Sequence, residues 1–266
     1  MLKKMKIAGT DITVSRISMG TASLHHIFSN NKRKELLYEA ADNGITHFDT
    51  SPYYGHGIAE AELGKFLKKN RKGFSITTKV GLYPLPYASK YILNVWTYNL
   101  IGKVIPNFSL SEVNWQLNKA QNSFNESLKR LNSDYVDFLM LHEPEYNLIN
   151  SHEFMAWLEC EIQRGRILAY GIAGIAEKII PFIELNNPLA KIVQTKDSLE
   201  NKNADFLINM GRELQFTYGY LSSSDKTGDP NEISHILKKA LIRNNKGSII
   251  ISTREKERIK KICSIV

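Results

Sequence analysis

Four side chains that could pass a proton between them stand at, or just beyond, the ends of predicted β-strands. Asp49 ends the strand in THFDTS and Tyr54 follows it, while Lys79 ends the strand in SITTKV and His142 the strand in DFLMLHE. A phenol has a pKa of about 10, too high for ready proton transfer at neutral pH. A nearby ammonium group favours the phenolate and lowers that pKa. A buried lysine needs a counter-ion, which Asp49 is placed to supply, and His142 can hydrogen-bond a carbonyl oxygen and orient it.

Such a group of side chains would protonate an alkoxide as it forms. The sequence shows no nucleophile of its own beside them, no metal-ligand cluster and no paired carboxylates. The reducing equivalent must therefore come from a bound cofactor. Taken singly, each residue also has a structural explanation: a strand-end aspartate often caps the next helix, a lysine there is often a solubilising charge, and a histidine or tyrosine could be packed in the core. Their occurrence together at successive strand ends favours an active site.

A repeated pattern of a short β-rich run and a helix-like segment must position these residues. The helix-like segments carry apolar residues three and four positions apart, as in residues 32–44, 59–70, 115–132, 153–165 and 233–245, with a weaker pattern within 203–212. The eight β-rich runs are RISMGTAS (16–23), THFDTS (46–51), FSITTKV (74–80), YVDFLMLHE (135–143), LAYGIAG (168–174), KIVQTKDS (191–198), LQFTYGYL (214–221) and GSIIIST (247–253).

Eight strands that are each followed by a helix predict an α/β fold of one particular kind, an eight-stranded parallel (β/α)8 TIM barrel, as a single domain over residues 1–266. Active sites of such barrels lie at the C-terminal ends of the strands, where the four side chains would meet. A doubly wound sheet is the alternative, but it would carry a GxGxxG loop after its first strand, whereas SMGTAS has one glycine.

Three further patterns refine this prediction. The stretch MKIAGTDITVS before the first barrel strand predicts an N-terminal β-hairpin that closes the bottom of the barrel. Gly44, Asn70, Asn132 and Gly165 stand near the predicted C-terminal ends of helices. Residues 82–114 form a long aromatic-rich segment after the third strand, which is typical of a substrate loop or lid.

Composition limits the possible partners and location. The chain has 266 residues, of which 42% are hydrophobic and 23% charged, as in an ordinary globular protein. Its net charge is +8, but the basic residues are scattered and no nucleic-acid-binding motif accompanies them, so we expect no nucleic-acid partner. No run of about 18 apolar residues and no signal peptide is present, so we expect no membrane span. Cys160 and Cys263 lack metal or redox spacing, which favours reduced thiols in the cytoplasm.

Several motifs resemble those of the aldo-keto reductases. FDTSPYYGHGIAEAELGKFL is similar to the family signature FDTAxxYGxGxxExxLGxxL, SITTKVG resembles its lysine strand, SFNESLKRLNSDYVDFLMLHEPE its SLxxLxxxYxDLxxxH segment, and GSIIISTREKERI its phosphate-binding region. The resemblance implies an oxidoreductase that transfers a hydride between NADPH and an aldehyde, ketone or sugar. It also implies that Tyr54, which directly precedes the glycine, is the general acid, with Lys79, Asp49 and His142 completing a catalytic tetrad.

The same resemblance implies a set of binding residues. Gln194 would contact the nicotinamide amide, Tyr218 its ring, and Gly219 and Leu221 the pyrophosphate. The arginine pair at Arg254 and Arg258 suits the 2′-phosphate dianion, which favours NADP over NAD. The expected cofactor-binding residues are Gly20, Thr21, Asp49, Gln194, Tyr218, Gly219, Leu221, Ser252, Thr253, Arg254 and Arg258, and the expected substrate-binding residues are Tyr53, His142 and Trp115, with Trp96 also near the pocket.

Three departures from the family pattern leave alternatives open. Ala173 and Gly174 replace a Ser-Asn pair that holds the carboxamide, Lys261 and Ile262 replace a Glu-Asn pair at the adenine, and the sequence ends at Val266 with little C-terminal loop. These changes favour a second hypothesis, a nucleotide-binding regulatory protein without catalysis. A lyase or isomerase that uses no nucleotide is a third, disfavoured by the arginine pair. The basic balance suggests an anionic or bulky substrate; the sequence does not indicate an oligomeric state.

Overall fold

Eight parallel strands close into a barrel, with helices following them along the chain. The computed structural model describes residues 2–84, 111–222 and 230–266. The strands are β1 Lys4–Lys6, β2 Thr13–Ser15, β3 Ile17–Gly20, β4 His47–Asp49, β5 Ser75–Val80, β6 Leu82–Pro84, β7 Ser111–Val113, β8 Val136–His142, β9 Ile167–Gly174, β10 Ile192–Lys196, β11 Phe216–Tyr218 and β12 Ser248–Ile251. The helices are α1 Asn30–Asp42, α2 Ile58–Leu67, α3 Leu117–Leu131, α4 Ser151–Gln163, α5 Ala176–Glu184, α6 Asp205–Asn209, α7 Pro230–Arg243 and α8 Lys256–Ser264.

The barrel runs in the order β3-β4-β5-β8-β9-β10-β11-β12, and β12 pairs with β3 to close it. Every residue of β5, β8 and β12 is buried, as expected for parallel strands covered on both faces. Each of the eight β-rich runs contributes one barrel strand, so the predicted (β/α)8 barrel is confirmed.

The N-terminal hairpin closes one end of the barrel. Strands β1 and β2 pair antiparallel, with Met5 opposite Val14. Ile7 and Val14 are fully buried and pack in one apolar cluster with Phe138, Met140 and other residues of the barrel strands. The hairpin therefore forms the floor below the barrel interior, and the opposite, C-terminal ends of the strands remain available for a site.

Helix ends follow local backbone chemistry at three of the four expected positions. Gly44, Asn132 and Gly165 adopt positive φ angles of 88°, 48° and 67° just after α1, α3 and α4, which is the left-handed geometry that ends many helices. Asn70 differs, since its φ is −130° and it precedes a short 3-10 helix instead. Helix α2 has already ended at Leu67, and the Asn70 side chain donates a hydrogen bond to the Phe66 carbonyl.

The long aromatic segment begins and ends as a small antiparallel ladder, in which Leu82 of β6 pairs with Val113 of β7. Residues 85–110, including Trp96, lie outside the described residues, so the expected substrate loop stays a prediction. None of the helices in the described parts of the chain combines the length and apolar character needed to cross a membrane.

Candidate active site

Three neighbouring barrel strands carry the charged and polar side chains to one rim. Asp49 is the last residue of β4, Lys79 lies next to the end of β5, and His142 ends β8. Because β4 pairs with β5 and β5 with β8, all in parallel, these ends are adjacent. Tyr54 lies in the turn between β4 and α2, where Gly55 adopts a φ of 60° and packs directly against His25. A side chain at position 55 would collide with His25, so this glycine lets the Tyr54 turn lie close to the barrel.

The Lys79 ammonium group makes four contacts within this rim. Its Nζ donates to both carboxylate oxygens of Asp49 at 2.8 Å and to the Thr50 carbonyl at 3.0 Å. It lies 3.2 Å from the Tyr54 hydroxyl oxygen. The Lys79 side chain is 1% exposed, so Asp49 is the counter-ion that a buried lysine requires.

Burial dominates the electrostatics of this ion pair and of the phenol. It raises the pKa of Asp49 and lowers the pKa of Lys79, while their mutual attraction opposes both shifts. The pKa of Tyr54 is raised well above its ordinary value, first by burial and then by the negative charges of Asp49 and Glu143. The net shift of the Tyr54 pKa is therefore upward, which leaves the phenol protonated, as a proton donor must be. The effect expected of Lys79, which is to favour the phenolate and so oppose this shift, stays a prediction.

His142 is a neutral imidazole against the same phenol. Its ring meets the Tyr54 ring edge-on, at 6.0 Å between centroids. Burial, and then the charge of Lys79, lower the His142 pKa well below its ordinary value. The Nδ1 atom lies 3.4 Å from the Ser51 hydroxyl oxygen. The neighbouring Tyr53 also contacts His142, with its ring centroid 6.5 Å from that of the imidazole. The tyrosine that lies within hydrogen-bond distance of Lys79 is Tyr54.

A cavity of about 330 Å³ opens onto these residues. Its lining includes Tyr54, Lys79 and His142, together with Gln194 and Tyr218. A larger groove, of about 660 Å³, lies at the hairpin end of the barrel and is lined by none of the four. Among the described residues, no group of three or more His, Cys, Asp or Glu side chains is arranged to hold a metal ion. The smaller cavity is therefore the candidate active site.

Most residues expected to bind a cofactor line this cavity, and four do not. Thr21 is fully buried, and its amide and hydroxyl both donate to the Asp49 carbonyl, which supports the end of β4. The Thr253 hydroxyl accepts from the Glu255 amide. Arg254 is exposed, and Arg258 is partly buried. The expected residues that line the cavity are Gly20, Asp49, Gln194, Tyr218, Gly219, Leu221 and Ser252.

Two buried polar atoms fit a nicotinamide nucleotide. Gln194 is 4% exposed, and its side-chain oxygen has no hydrogen-bond partner among the described residues. It is therefore free to accept from a carboxamide N–H group. The Nε atom of Arg258, in the first turn of α8, is likewise buried without a hydrogen-bond partner among the described residues. A guanidinium group with a free donor suits a phosphate.

Beside Gly174, where the sequence departs from the family pattern, lies the carboxylate of Glu143. A Cβ atom at position 174 would stand 2.9 Å from the Glu143 Oε2 atom. That oxygen accepts from the Ile175 amide at 3.2 Å, and Glu143 has a φ of 49°. Glu143 thus occupies the space that a larger residue 174 would fill. Glu143 was not among the residues expected from the sequence, although its position directly after His142 was a usable signal.

One other sequence-based expectation, that Trp115 lines the substrate pocket, finds no support in the described structure. Trp115 does not line the described part of the cavity: it is 8% exposed, packs on Gly81 and lies 6.2 Å from the Phe154 ring. It belongs to the core because Gly81 leaves room for the indole. Ile262 is fully buried in the core cluster, so this position on α8 presents no polar side chain to a ligand.

Comparisons with known proteins identify the family and the fold. The model of the Aldo/keto reductase family matches residues 16–195, about two thirds of the chain. D-threo-aldose 1-dehydrogenase of a Pseudomonas species is 31% identical over 142 residues, which cover 52% of this chain and 43% of that protein. L-galactose dehydrogenase of Arabidopsis thaliana is 29% identical over 185 residues, covering 66% of this chain and 50% of that protein. The matched regions thus span about half the length of these curated relatives.

Solved structures share the fold. An aldo-keto reductase from Bacillus halodurans, in its holo form, superposes with a TM-score of 0.75 at 18% identity, covering 100% of this chain and 91% of the other. A putative aldo-keto reductase from Pseudomonas aeruginosa gives a TM-score of 0.75 at 18% identity, covering 98% and 93%. At that identity they show the barrel alone. Because the family model matches about two thirds of the chain, from residue 16 to residue 195 within β10, the chain belongs to the Aldo/keto reductase family.

Proposed function

We propose that the protein is an NADP-dependent oxidoreductase that interconverts a small carbonyl compound and its alcohol. One observation carries the proposal: the Lys79 ammonium group bonds both oxygens of Asp49 and lies 3.2 Å from the Tyr54 hydroxyl oxygen, beside a cavity. A purely structural barrel has no need to bury such a set, because burying an ion pair is costly.

Tyr54 is the proposed general acid. In the direction of reduction, the substrate carbon gains a hydride and the Tyr54 hydroxyl gives its proton to the substrate oxygen. The phenolate that remains lies against the Lys79 ammonium group, which stabilises it, and Asp49 keeps that ammonium group charged. His142, neutral and beside the phenol, orients the substrate oxygen. In the direction of oxidation the proton returns to Tyr54.

The hydride is supplied, or accepted, by a bound nicotinamide nucleotide, since protein side chains cannot do so. Gln194 would hold its carboxamide and Tyr218 would provide a flat aromatic surface for its ring. Gly219 has a φ of 105° and no side chain, so the backbone there can approach a pyrophosphate. Ser252, Arg254 and Arg258 would hold the 2′-phosphate, which is the reason for proposing NADP rather than NAD.

The cavity favours a small uncharged substrate such as an aldehyde or a sugar. Its volume of about 330 Å³ is near the lower end of ligand pockets, and the bound nicotinamide would occupy part of it. Lys79 is the one cation in its described wall, and Asp49 already neutralises it. This lining gives no support to the anionic substrate that the basic composition suggested. The names of the relatives, an aldose dehydrogenase and a galactose dehydrogenase, also support a sugar.

A nucleotide-binding protein without catalysis is the second candidate. The glutamate beside Gly174 favours it, because a carboxylate close to the nicotinamide site alters the contacts that the carboxamide would find. Nucleotide binding without turnover of any carbonyl compound would support this candidate over the first.

For the compartment, the free thiols of Cys160 and Cys263 support a location in the cytoplasm.

A titration of NADPH and NADH, followed by the fluorescence of the tryptophans, tests the cofactor proposal. We expect NADPH to bind more tightly than NADH, and Arg258→Ala to weaken NADPH binding by roughly 10- to 100-fold, the value of a charge-assisted hydrogen bond. Arg164→Ala, at the exposed residue directly after α4, is the matched control and should change neither affinity. Equal affinities for the two nucleotides would contradict the NADP assignment, and binding of neither would contradict the reductase itself.

A further inference from the structure

Ser51 makes a buried contact that the four catalytic side chains do not include. It lies two residues after the end of β4 and is fully buried. Its hydroxyl oxygen accepts from the Tyr53 amide at 3.2 Å and lies 3.4 Å from the Nδ1 atom of His142. The family signature quoted above has alanine at this position, so the barrel does not require the hydroxyl group.

The proton on the Ser51 hydroxyl group has one acceptor in these contacts. A serine carries one O–H donor and can accept with its oxygen lone pairs. The Tyr53 amide can only donate, so it cannot receive that proton. Among the described residues the Nδ1 atom of His142 is the one acceptor within reach, so the Ser51 hydroxyl group is satisfied as a donor only if that nitrogen accepts. Because His142 is neutral, its single ring proton must sit on Nε2.

We propose that Ser51 is a positioning residue that fixes His142 as the tautomer with its proton on Nε2, the form that can donate to a carbonyl oxygen. This inference deepens the proposed function and rests on it for the identity of the substrate group. A carbonyl oxygen only accepts hydrogen bonds, so the other tautomer would place a nitrogen lone pair against it. Ser51 thereby acts on catalysis through His142 and needs no contact with the substrate.

The tautomer can be measured in the free protein. In protein labelled with nitrogen-15 at histidine, long-range proton–nitrogen correlations distinguish a protonated ring nitrogen from a bare one, and His142→Gln identifies the His142 signals. We expect the wild type to show a bare Nδ1 and a protonated Nε2. In Ser51→Ala this single form should give way to a mixture, or to the form with the proton on Nδ1.

Ser75→Ala is the matched control. The Ser75 hydroxyl oxygen lies 2.8 Å from the Nδ1 atom of His47, a fully buried histidine that does not line the cavity. This variant should change the His47 signals and leave those of His142 as they are. In Ser51→Ala the His47 signals should be unchanged, which also shows that the barrel is still folded.

The kinetic consequence separates positioning from structure. With NADPH and an aldehyde, Ser51→Ala should lower kcat/KM roughly three- to tenfold, the value of one neutral hydrogen bond, with nucleotide affinity unchanged and Ser75→Ala fully active. A wild-type His142 that carries its proton on Nδ1, or a Ser51→Ala protein with unaltered His142 signals, would overturn the proposal. A fixed Nε2 proton in a wild type that turns over no carbonyl compound would support the tautomer assignment and refute the proposed reductase.

Discussion

Replacing Asp49 with asparagine should destabilise the protein strongly, because it leaves Lys79 charged and buried without a counter-ion. Two of the four Lys79 contacts are to Asp49, and the remaining two are to the neutral oxygens of Thr50 and Tyr54. Removing one partner of a buried ion pair costs about 3 to 5 kcal/mol. We therefore expect Asp49→Asn to lower the free energy of unfolding by about that amount near pH 7.

The loss should depend on pH in a defined direction. Without Asp49 the pKa of Lys79 in the folded protein falls further below its ordinary value, while in the unfolded chain it returns to that value. The unfolded state then binds more protons, so the free energy of unfolding of Asp49→Asn should rise with pH. Its deficit relative to the wild type should shrink as the pH approaches about 10, where an ordinary lysine loses its proton.

Urea denaturation of Asp49→Asn, Lys79→Met and the double variant provides the assay. If the pair is coupled as the distances indicate, the double variant should lose less than the sum of the single losses, by at least about 2 kcal/mol, because it leaves no unpaired charge. Losses that add within about 0.5 kcal/mol would mean that the two groups do not interact. That result would refute the reasoning that Asp49 keeps Lys79 charged beside Tyr54.

Three further outcomes follow from single positions. Gly171→Ala should lower the free energy of unfolding by about 3 kcal/mol or more, because its Cβ atom would overlap the backbone of the neighbouring strand β10. Gly73→Ala is the control: a Cβ atom there meets open space, so its free energy of unfolding should stay within about 0.5 kcal/mol of the wild type in the same urea assay. Burial lowers the pKa of His47 from 6.5 to about 3, so its contribution to stability is complete above pH 6.5. That contribution should fall by up to about 1.4 kcal/mol per pH unit as the pH drops towards 3, and His47→Gln should flatten this slope. Tyr220→Phe removes a 2.6 Å hydrogen bond to the Asp197 carboxylate, which should lower the free energy of unfolding by about 1.5 to 3 kcal/mol and weaken NADPH binding in a fluorescence titration. Unchanged affinity would mean that this bond does not hold the cavity wall.

The barrel and the four strand-end side chains could be predicted because both are local properties of the sequence. The composition of a run such as SITTKV predicts a buried strand, and its last residues must then lie at the C-terminal end of the barrel. The choice of Tyr54 over Tyr53 required the resemblance, because neighbouring tyrosines in a turn have no periodicity to separate them. The choice of Tyr54 as the proton donor stays a prediction, which is supported by the 3.2 Å contact between the Lys79 Nζ atom and the Tyr54 hydroxyl oxygen.

What the sequence did not predict depends on contacts between distant segments. Trp115 was expected at the substrate, but its indole packs in the core against Gly81, where the absence of a side chain leaves room for the ring. Glu143 and Ser51 were missed because their roles depend on orientation: a φ of 49° places the Glu143 carboxylate beside Gly174, and the end of β8 brings His142 to Ser51. Asn70 has the right type for a helix cap, yet α2 ends before it.

Turnover by Tyr54→Phe and Tyr53→Phe tests the central claim most directly. Both changes remove one hydroxyl group from adjacent residues, but only the Tyr54 hydroxyl lies against Lys79. With NADPH and a panel of small aldehydes and sugars, we predict that Tyr54→Phe loses about 10²- to 10⁴-fold in kcat, the contribution of a general acid, while it still binds NADPH. Tyr53→Phe should stay within tenfold of the wild type, roughly the value of one hydrogen bond. A Tyr54→Phe protein with wild-type turnover would contradict the assignment of Tyr54 as the proton donor.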